Sequence, residues 1–187
     1  MRYFIALEIP ENSEEELESV QRQLKTIIPN IRLTDRNKLH LTIAFIGEQS
    51  ANLQEDIAQV IGQATKNIPA FTITPAYIDG FPNLHGPHTF WVGVKGDIDK
   101  LVVITERVRD GLANLGLDSD ERRYIPHIAI AKTSKGFYLQ PSQEEKLQDF
   151  MVKNSFAPIQ ITSIKLFESI PEEGFHTHNT LAEVPLG

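Results

Sequence analysis

Two short apolar runs, each entered by a histidine, constrain the fold of this chain more than any other feature. They cover residues 38–47 and 125–134, and apolar side chains recur in them at every second position. In the first run His40 and Thr42 share one face. The opposite face carries Leu41, Ile43 and Phe45. Because a period of two is typical of a half-buried strand, each run predicts a strand that buries its apolar side and presents one imidazole on the other.

The second run follows the same pattern with fewer polar side chains. His127, Ala129 and Ala131 share the face of the imidazole, and Ile128 and Ile130 share the other. Simple alternation then puts Lys132 on the face opposite His127. Lys132 reaches the histidine side only from the strand end, or if the strand contains a bulge.

Predicted helices and strands alternate along the rest of the chain. The first helix is predicted to begin at the N-cap Ser13, with Glu14, Glu15 and Glu16 in its first turn, and to stop at Pro29. Further helices are predicted over 53–66, 97–115 and 142–152. Strands are predicted over 2–9, 40–46, 71–78, 89–95, 127–132, 158–168 and 179–185.

This order repeats once. Each half carries a helix, a histidine-bearing strand, a helix and a strand, and the two histidines lie 127 − 40 = 87 residues apart. Interleaved helices and strands exclude an all-helical or all-β fold. The rhythm predicts an α+β fold of two similar lobes that face one another, with residues 1–187 forming a single bilobal domain.

Composition narrows the class of protein. A chain of 187 residues with 41% hydrophobic and 23% charged residues has the make-up of a soluble globular protein, and we expect a monomer. It contains no cysteine, which excludes disulfides, thiolate metal sites and a cysteine nucleophile and fits a cytoplasmic location. No apolar run approaches the roughly 20 residues that span a bilayer, so no membrane partner is expected.

Charge argues against one class of nucleic-acid protein and leaves another open. The net charge of −7 is unfavourable for a general nucleic-acid coat. Residues 36–47 and 122–135 nevertheless contain no Asp or Glu. The basic residues beside the two histidines are Arg36, Lys38, Arg122, Arg123, Lys132 and Lys135. These windows fit a local phosphate site, or else ordinary basic residues at strand ends.

The motifs of this chain resemble, in order and over essentially its whole length, those of the two-histidine phosphoesterase superfamily. The match is to its RNA 2′,3′-cyclic phosphodiesterase branch, also called the 2′-5′ RNA ligase family. The segments that carry the resemblance are 4–10, 39–47, 81–82 with 90–94, 122–132, and 166–169 with 180–186. The resemblance implies two pseudo-symmetric α+β lobes. Antiparallel sheets would form a central cleft with the helices packed outside, and the two histidines would face each other across it.

The resemblance also implies a reaction that needs no cofactor and no metal. His40 would be the acid that protonates the leaving oxygen, and His127 the base that activates water. Thr42 would donate to a phosphoryl oxygen, and Lys132 would add positive charge. The substrate would be RNA with a 2′,3′-cyclic phosphate end, or a cyclic nucleotide, and the product a 2′-phosphate. Reverse 2′-5′ ligation follows from microscopic reversibility as a minor activity.

Two positions depart from the family pattern. Ala129 stands where the second motif usually has a hydroxyl, so a donor is lost there unless the backbone or a neighbour compensates. Lys132 stands where the family commonly has arginine, and lysine lacks the planar fork that grips two phosphate oxygens. These departures keep two alternatives open. One is a phosphodiesterase acting on another cyclic nucleotide or on an ADP-ribose cyclic phosphate, and the other is an RNA-end-binding protein whose catalysis has lapsed.

The remaining histidines have simpler interpretations. His178 begins a third His-x-Thr sequence, but it falls where the family often has an aromatic residue, so we expect no catalytic role for it. His85, His88, His176 and His178 are conceivable as a metal cluster, yet they lack a carboxylate spacing that specifies a metal, and loop histidines are the better interpretation. Phe45 and Trp91 are predicted to lie in the core rather than against a base.

Overall fold

One antiparallel sheet and four α-helices make up the described part of the chain, which in this computed structural model comprises residues 1–117, 122–172 and 175–187, with the backbone alone at 175 and 176. In chain order the elements are β1 (Arg2–Glu8), α1 (Glu11–Ile27), β2 (Arg32–Leu33), β3 (His40–Glu48), α2 (Gln54–Ala64), β4 (Phe71–Phe81), β5 (Thr89–Gly96), α3 (Ile98–Asn114), β6 (His127–Lys132), α4 (Pro141–Lys153), β7 (Ile159–Ile161), β8 (Ser163–Glu172) and β9 (Phe175–Pro185). No helix within these ranges is long and apolar enough to cross a membrane.

The sheet consists of two lobes joined by a single bridge. The strand order is β7-β4-β5-β6-β3-β1-β8-β9, with β2 paired to β6. Where the lobes meet, β3 and β6 share the one pair Leu41–Ile128 among the described residues. The lobe of β3, β1, β8 and β9 is called lobe A here, and the lobe of β6, β5, β4 and β7 is called lobe B. The predicted α+β fold with two lobes of antiparallel sheet is confirmed.

The two lobes are built from equivalent elements at a constant spacing. Helix α3 begins 98 − 11 = 87 residues after α1, and α4 begins 141 − 54 = 87 residues after α2, which matches the spacing of the histidines. Each lobe is covered by one helix from each half of the chain. Helices α1 and α4 pack against β6 and β4 of lobe B, and helices α3 and α2 pack against β3 and β8 of lobe A. The repeat predicted from the sequence is therefore a repeat of structure.

Several predicted element boundaries differ from the structure: β4 extends to Phe81, β9 begins at Phe175, and two further differences change the description of the fold. Helix α1 begins at Glu11 after Pro10, so Ser13 is not its N-cap but a buried residue of its first turn. The strand predicted over 158–168 is two strands, β7 and β8, separated by Thr162. The chain changes lobes at this break, because β7 pairs with β4 whereas β8 pairs with β1. The buried positions shift by one residue at the break, from Ile159 and Ile161 before it to Ile164 and Leu166 after it, and a single strand predicted over 158–168 overlooks this shift.

The two faces of the sheet have different surroundings. The face that carries Leu41 and Ile128 packs against the helices and forms the main hydrophobic core, in which both side chains are fully buried. The opposite face, called the cleft face here, has a small apolar cluster of its own formed by Phe4, Ala6 and Phe167. The histidine side chains belong to this cleft face, since they alternate with Leu41 and Ile128.

Candidate active site

The bridge between the lobes fixes the position of both predicted catalytic histidines. His40 and His127 each directly precede one member of the Leu41–Ile128 pair. Successive side chains of a strand point to opposite faces, so burial of the pair beneath the helices turns both imidazoles to the cleft face. Both histidines are half-buried. The fold thus brings together, at one joint of the sheet, two residues that are far apart in sequence.

Each imidazole is held by the backbone two residues before it. Nδ1 of His127 lies 2.7 Å from the carbonyl oxygen of Ile125, and hydrogen bonding to the backbone of Lys38 raises the pKa of His40. A carbonyl can only accept, so Nδ1 of His127 must be the protonated nitrogen of the neutral ring. Nε2 is then left to exchange a proton with a bound molecule. The local chain geometry at 125–127 therefore sets the tautomer that an acid or base at this site requires.

Aromatic rings enclose both histidines. The ring centroid of His40 lies 5.2 Å from that of Phe167 and 5.6 Å from that of Phe4. The ring centroid of His127 lies 4.9 Å from that of Phe81 and 5.7 Å from that of Trp91. The fully buried Ala6 belongs to the same cluster as Phe4 and Phe167, and its small side chain leaves room above the sheet for their rings. Each imidazole therefore has a fixed orientation and limited access to water.

This burial changes the proton affinity of both rings. Desolvation lowers the pKa of His40 and of His127 below 6.5, and the hydrogen bonds to Lys38 and Ile125 oppose the decrease in part. The carboxylate of Glu8, opposite His40 on β1, also raises the pKa of His40, and Lys165 of β8 forms an ion pair with that carboxylate. Both imidazoles are consequently neutral near pH 7 in the free protein.

The lowered pKa values predict a loss of stability in mild acid. Below pH 6.5 the unfolded chain binds protons at these histidines that the folded chain does not bind until the pH falls through the lowered values. The free energy of unfolding therefore decreases with falling pH in this window, by up to about 1.4 kcal/mol per pH unit for each histidine. Urea midpoints measured between pH 8 and pH 5 should fall more steeply for the wild type than for the His40→Gln/His127→Gln variant. Equal slopes would contradict this account.

A bulge follows each histidine at the same distance. Ala6 pairs with Thr42 and Ile5 with Ala44, so Ile43 is the additional residue in β3. In β6 the pairs Trp91–Ala129 and Phe90–Ala131 leave Ile130 as the additional residue. Each bulge thus falls three residues after its histidine. This repetition shows that the two strands are bent in the same way around the joint.

The bulge in β6 decides where Lys132 lies. Ile130 and Ala131 are both fully buried, and the exposed Lys132 pairs with Thr89 on the histidine side of the sheet. Alternation allowed two routes to this placement, an approach from the strand end or a bulge, and the strand contains the bulge. The bulge is stabilised by a residue far away in the sequence, because Nε2 of the buried Gln21 donates to the carbonyl oxygen of Ile130 at 2.9 Å. Thr42 is half-buried on the face of His40, so the predicted phosphate-binding side chains lie on the face that carries both imidazoles.

Several other predicted residues lie outside this arrangement or alter it. Arg36 was predicted to flank the site, but it forms ion pairs with the first turns of helix α1. Its guanidinium lies within 4.0 Å of carboxylates of Glu11, Glu14, Glu15 and Glu18. Phe45 is 72% exposed, which contradicts its predicted place in the core; it pairs with Phe4, and the register shifts on both sides of that pair turn it outward. Trp91, in contrast, is 3% exposed and buried as predicted.

The histidines considered as a metal cluster are dispersed. His85 is exposed, with Nδ1 3.5 Å from a carboxylate oxygen of Glu144, and Nδ1 of His88 lies 2.8 Å from the hydroxyl of Thr89. The side chain of His176 lies outside the described residues. Among the groups that are described, none of three or more His, Asp or Glu side chains is close enough to hold a metal ion.

Two contacts of the site were not anticipated from the sequence. His178 lies in β9 rather than in a loop, and its ring lies 5.0 Å from that of His40, centroid to centroid, and 4.9 Å from that of Phe4, so the aromatic position that it occupies is inside the cleft. Tyr77, Phe81 and Trp91 form an aromatic wall beside His127. A cavity of about 520 Å³ opens beside this wall, between Tyr77 and the arginines Arg109, Arg122 and Arg123.

Sequence comparison relates the chain to one family of enzymes. The family described as the 2′-5′ RNA ligase superfamily matches residues 9–168. An RNA 2′,3′-cyclic phosphodiesterase of Methanocaldococcus jannaschii is 31% identical over 90% of this chain and 91% of its own length. Another of the same name from Thermotoga maritima is 27% identical over 86% of this chain and 81% of its own length.

Structural comparison gives the same fold. The apo form of Escherichia coli LigT superimposes with a TM-score of 0.75 at 21% identity, covering 99% of this chain and 96% of LigT. The protein TT0787 of Thermus thermophilus superimposes with a TM-score of 0.78 at 17% identity, covering 100% of this chain and 98% of TT0787. At these identities the structural likeness concerns the fold alone.

Proposed function

Because this chain belongs to the 2′-5′ RNA ligase superfamily, we propose that it is an RNA 2′,3′-cyclic phosphodiesterase that hydrolyses cyclic phosphate ends to 2′-phosphates without a metal. The observation that carries the proposal is the pair of half-buried imidazoles on one face of the joint between the lobes, each hydrogen-bonded to the backbone two residues before it. Two such groups supply the base and the acid that phosphodiester hydrolysis needs.

In the proposed reaction His127 acts first on water. Nε2 of the neutral His127 accepts a proton from a water molecule while the water oxygen attacks phosphorus. The bond from phosphorus to the 3′ oxygen breaks, and Nε2 of protonated His40 gives its proton to that oxygen. The product is a 2′-phosphomonoester with a free 3′ hydroxyl. If a 5′ hydroxyl attacks phosphorus in place of water, the same steps break the bond to the 3′ oxygen and form a 2′-5′ linkage, which we propose as a minor activity.

The roles of the two histidines require opposite protonation states. The lowered pKa of His127 keeps it neutral and ready to accept a proton at neutral pH. His40 has to be protonated, and the negative charge of the bound phosphodiester favours its cationic form and raises its pKa in the complex. Thr42 and Lys132 stabilise the charge that develops on the phosphoryl oxygens. The rate should therefore show a bell-shaped dependence on pH.

The test is hydrolysis of 2′,3′-cyclic AMP and of an oligoribonucleotide ending in a 2′,3′-cyclic phosphate, each in excess EDTA. We expect turnover that EDTA leaves unchanged and a product identified as the 2′-phosphate by ³¹P NMR. Binding without turnover would support the lapsed RNA-end-binding protein instead. Turnover confined to an ADP-ribose cyclic phosphate would support the alternative substrate class, and inactivation by EDTA would contradict the metal-free mechanism.

A further inference from the structure

The indole nitrogen of Trp91 is a buried hydrogen-bond donor that the fold leaves unused. Nε1 is enclosed and has no hydrogen-bond partner among the described residues. Such a donor is unfavourable in a folded protein unless it has a role, and unsatisfied buried groups are uncommon in native structures. Trp91 lies on the cleft face, since its ring contacts that of His127. The unused donor is therefore beside the proposed base.

The pseudo-symmetry of the lobes indicates what this donor is for. In lobe A, Thr42 follows His40 by two residues and pairs across the sheet with Ala6. In lobe B, Ala129 follows His127 by two residues and pairs across the sheet with Trp91. Each lobe thus has one donor side chain and one alanine at the equivalent pair of positions. The two lobes differ in which of the two strands carries the donor.

We propose that the indole N–H of Trp91 donates a hydrogen bond to a phosphoryl oxygen of the substrate, in place of the hydroxyl that Ala129 lacks. Directly opposed residues of an antiparallel pair have Cβ atoms about 4.5–5.5 Å apart, so a donor on Trp91 serves the same region as a donor at 129. This inference deepens the proposed function, because it assigns a further group to the same phosphate site.

Because Nε1 is enclosed, binding requires that a neighbouring group move to uncover it. The rings nearest to Trp91 are those of Phe81, His127 and Tyr77, at centroid distances of 5.0, 5.7 and 5.8 Å. Tyr77 is the most accessible of the three, at 41% exposed, and its ring lies directly over Gly93, where an added Cβ would clash with it. Rotation of Tyr77 towards solvent is the simplest way for an oxygen to reach the indole.

The single tryptophan of the chain allows a direct test that needs no turnover. In ¹⁵N-labelled protein the one indole N–H signal is followed during titration with inorganic phosphate and with 2′-AMP, and adenosine serves as the control without phosphate. We expect a saturable downfield shift of the indole proton with both phosphates and none with adenosine. An indole signal that does not move with either phosphate would overturn the inference. A shift in a protein that hydrolyses no cyclic phosphate would overturn the proposed function and leave the inference standing.

A rescue experiment tests the same donor in the reaction. Trp91→Phe removes the N–H and keeps an apolar ring, and it should lower kcat/KM for 2′,3′-cyclic AMP about 10- to 100-fold, below the 10²–10³-fold typical of a lost oxyanion donor because Thr42 and Lys132 remain. Adding Ala129→Thr should recover most of this loss. The matched control is Ala129→Val, which has the shape of threonine without its hydroxyl and should recover nothing. Full activity of Trp91→Phe, or equal recovery by threonine and valine, would contradict the inference.

Discussion

Replacing His127 by alanine is expected to lower kcat for 2′,3′-cyclic AMP about 10²- to 10⁴-fold, and replacing His40 should cost as much. Each substitution removes one of the two proton transfers and leaves the phosphate-binding side chains in place, so KM should change little. Because the two imidazoles act in one step, the double variant should be little worse than either single variant. Steady-state kinetics with product identification provides the measurement.

His85→Ala is the matched control for these variants. This histidine is 78% exposed and lies within 3.5 Å of a carboxylate oxygen of Glu144, away from the two imidazoles, so its removal should leave kcat unchanged. If His40→Ala or His127→Ala retained near wild-type turnover while folded, acid–base catalysis by the pair would be excluded.

A substrate whose leaving group needs no proton should distinguish the acid from the base, because only loss of the base should then lower kcat strongly. A 3′-deoxyadenosine 2′-(p-nitrophenyl phosphate) has a leaving group that departs as a stable anion and needs no proton. On this substrate His40→Ala should lose less than about tenfold in kcat, because the role of the acid has become unnecessary. His127→Ala should still lose about 10²- to 10⁴-fold, because water must be deprotonated as before. Nitrophenolate release is followed by absorbance.

The reverse pattern would exchange the two roles. If His127→Ala tolerated the aryl ester and His40→Ala did not, His127 would be the acid and His40 the base. Equal losses for both variants on both substrates would contradict a division of labour between the rings.

The parts of the site that are local in sequence could be predicted from it. Alternation around His40 and His127 identified both strands and the faces of their imidazoles, because a buried face imposes that period directly. The 87-residue spacing of the histidines also indicated two equivalent halves. The neighbours of each imidazole on other strands could not be predicted in this way, because the sequence of one strand does not determine the register in which it pairs with another. His178 and the wall of Tyr77, Phe81 and Trp91 are of this kind.

The bulges explain the errors in predicting which face a side chain occupies. Alternation assigned Phe45 to the core, yet the register shifts on either side of its pair with Phe4 leave it exposed. The carbonyl oxygen of Ile130 at the second bulge accepts a hydrogen bond from Gln21, a residue 109 positions earlier in the chain. A kink stabilised by so distant a group leaves no mark in the periodicity of the strand itself. Ser13 shows that helix starts are also hard to predict locally. It is a favourable N-cap residue, yet helix α1 begins earlier, at Glu11 directly after Pro10.

The exchange of strands between the two halves has a consequence for folding. Strand β4 closes the first half of the chain but pairs with β5 in lobe B, and β8 closes the second half but pairs with β1 in lobe A. A fragment cut between Phe81 and Thr89 would therefore leave β1 without its neighbour β8 and β4 without its neighbour β5. The chain has to be synthesised to β9 before the scaffold of His40 in lobe A is complete, whereas the strands of lobe B that carry His127 and its aromatic neighbours are complete at β7.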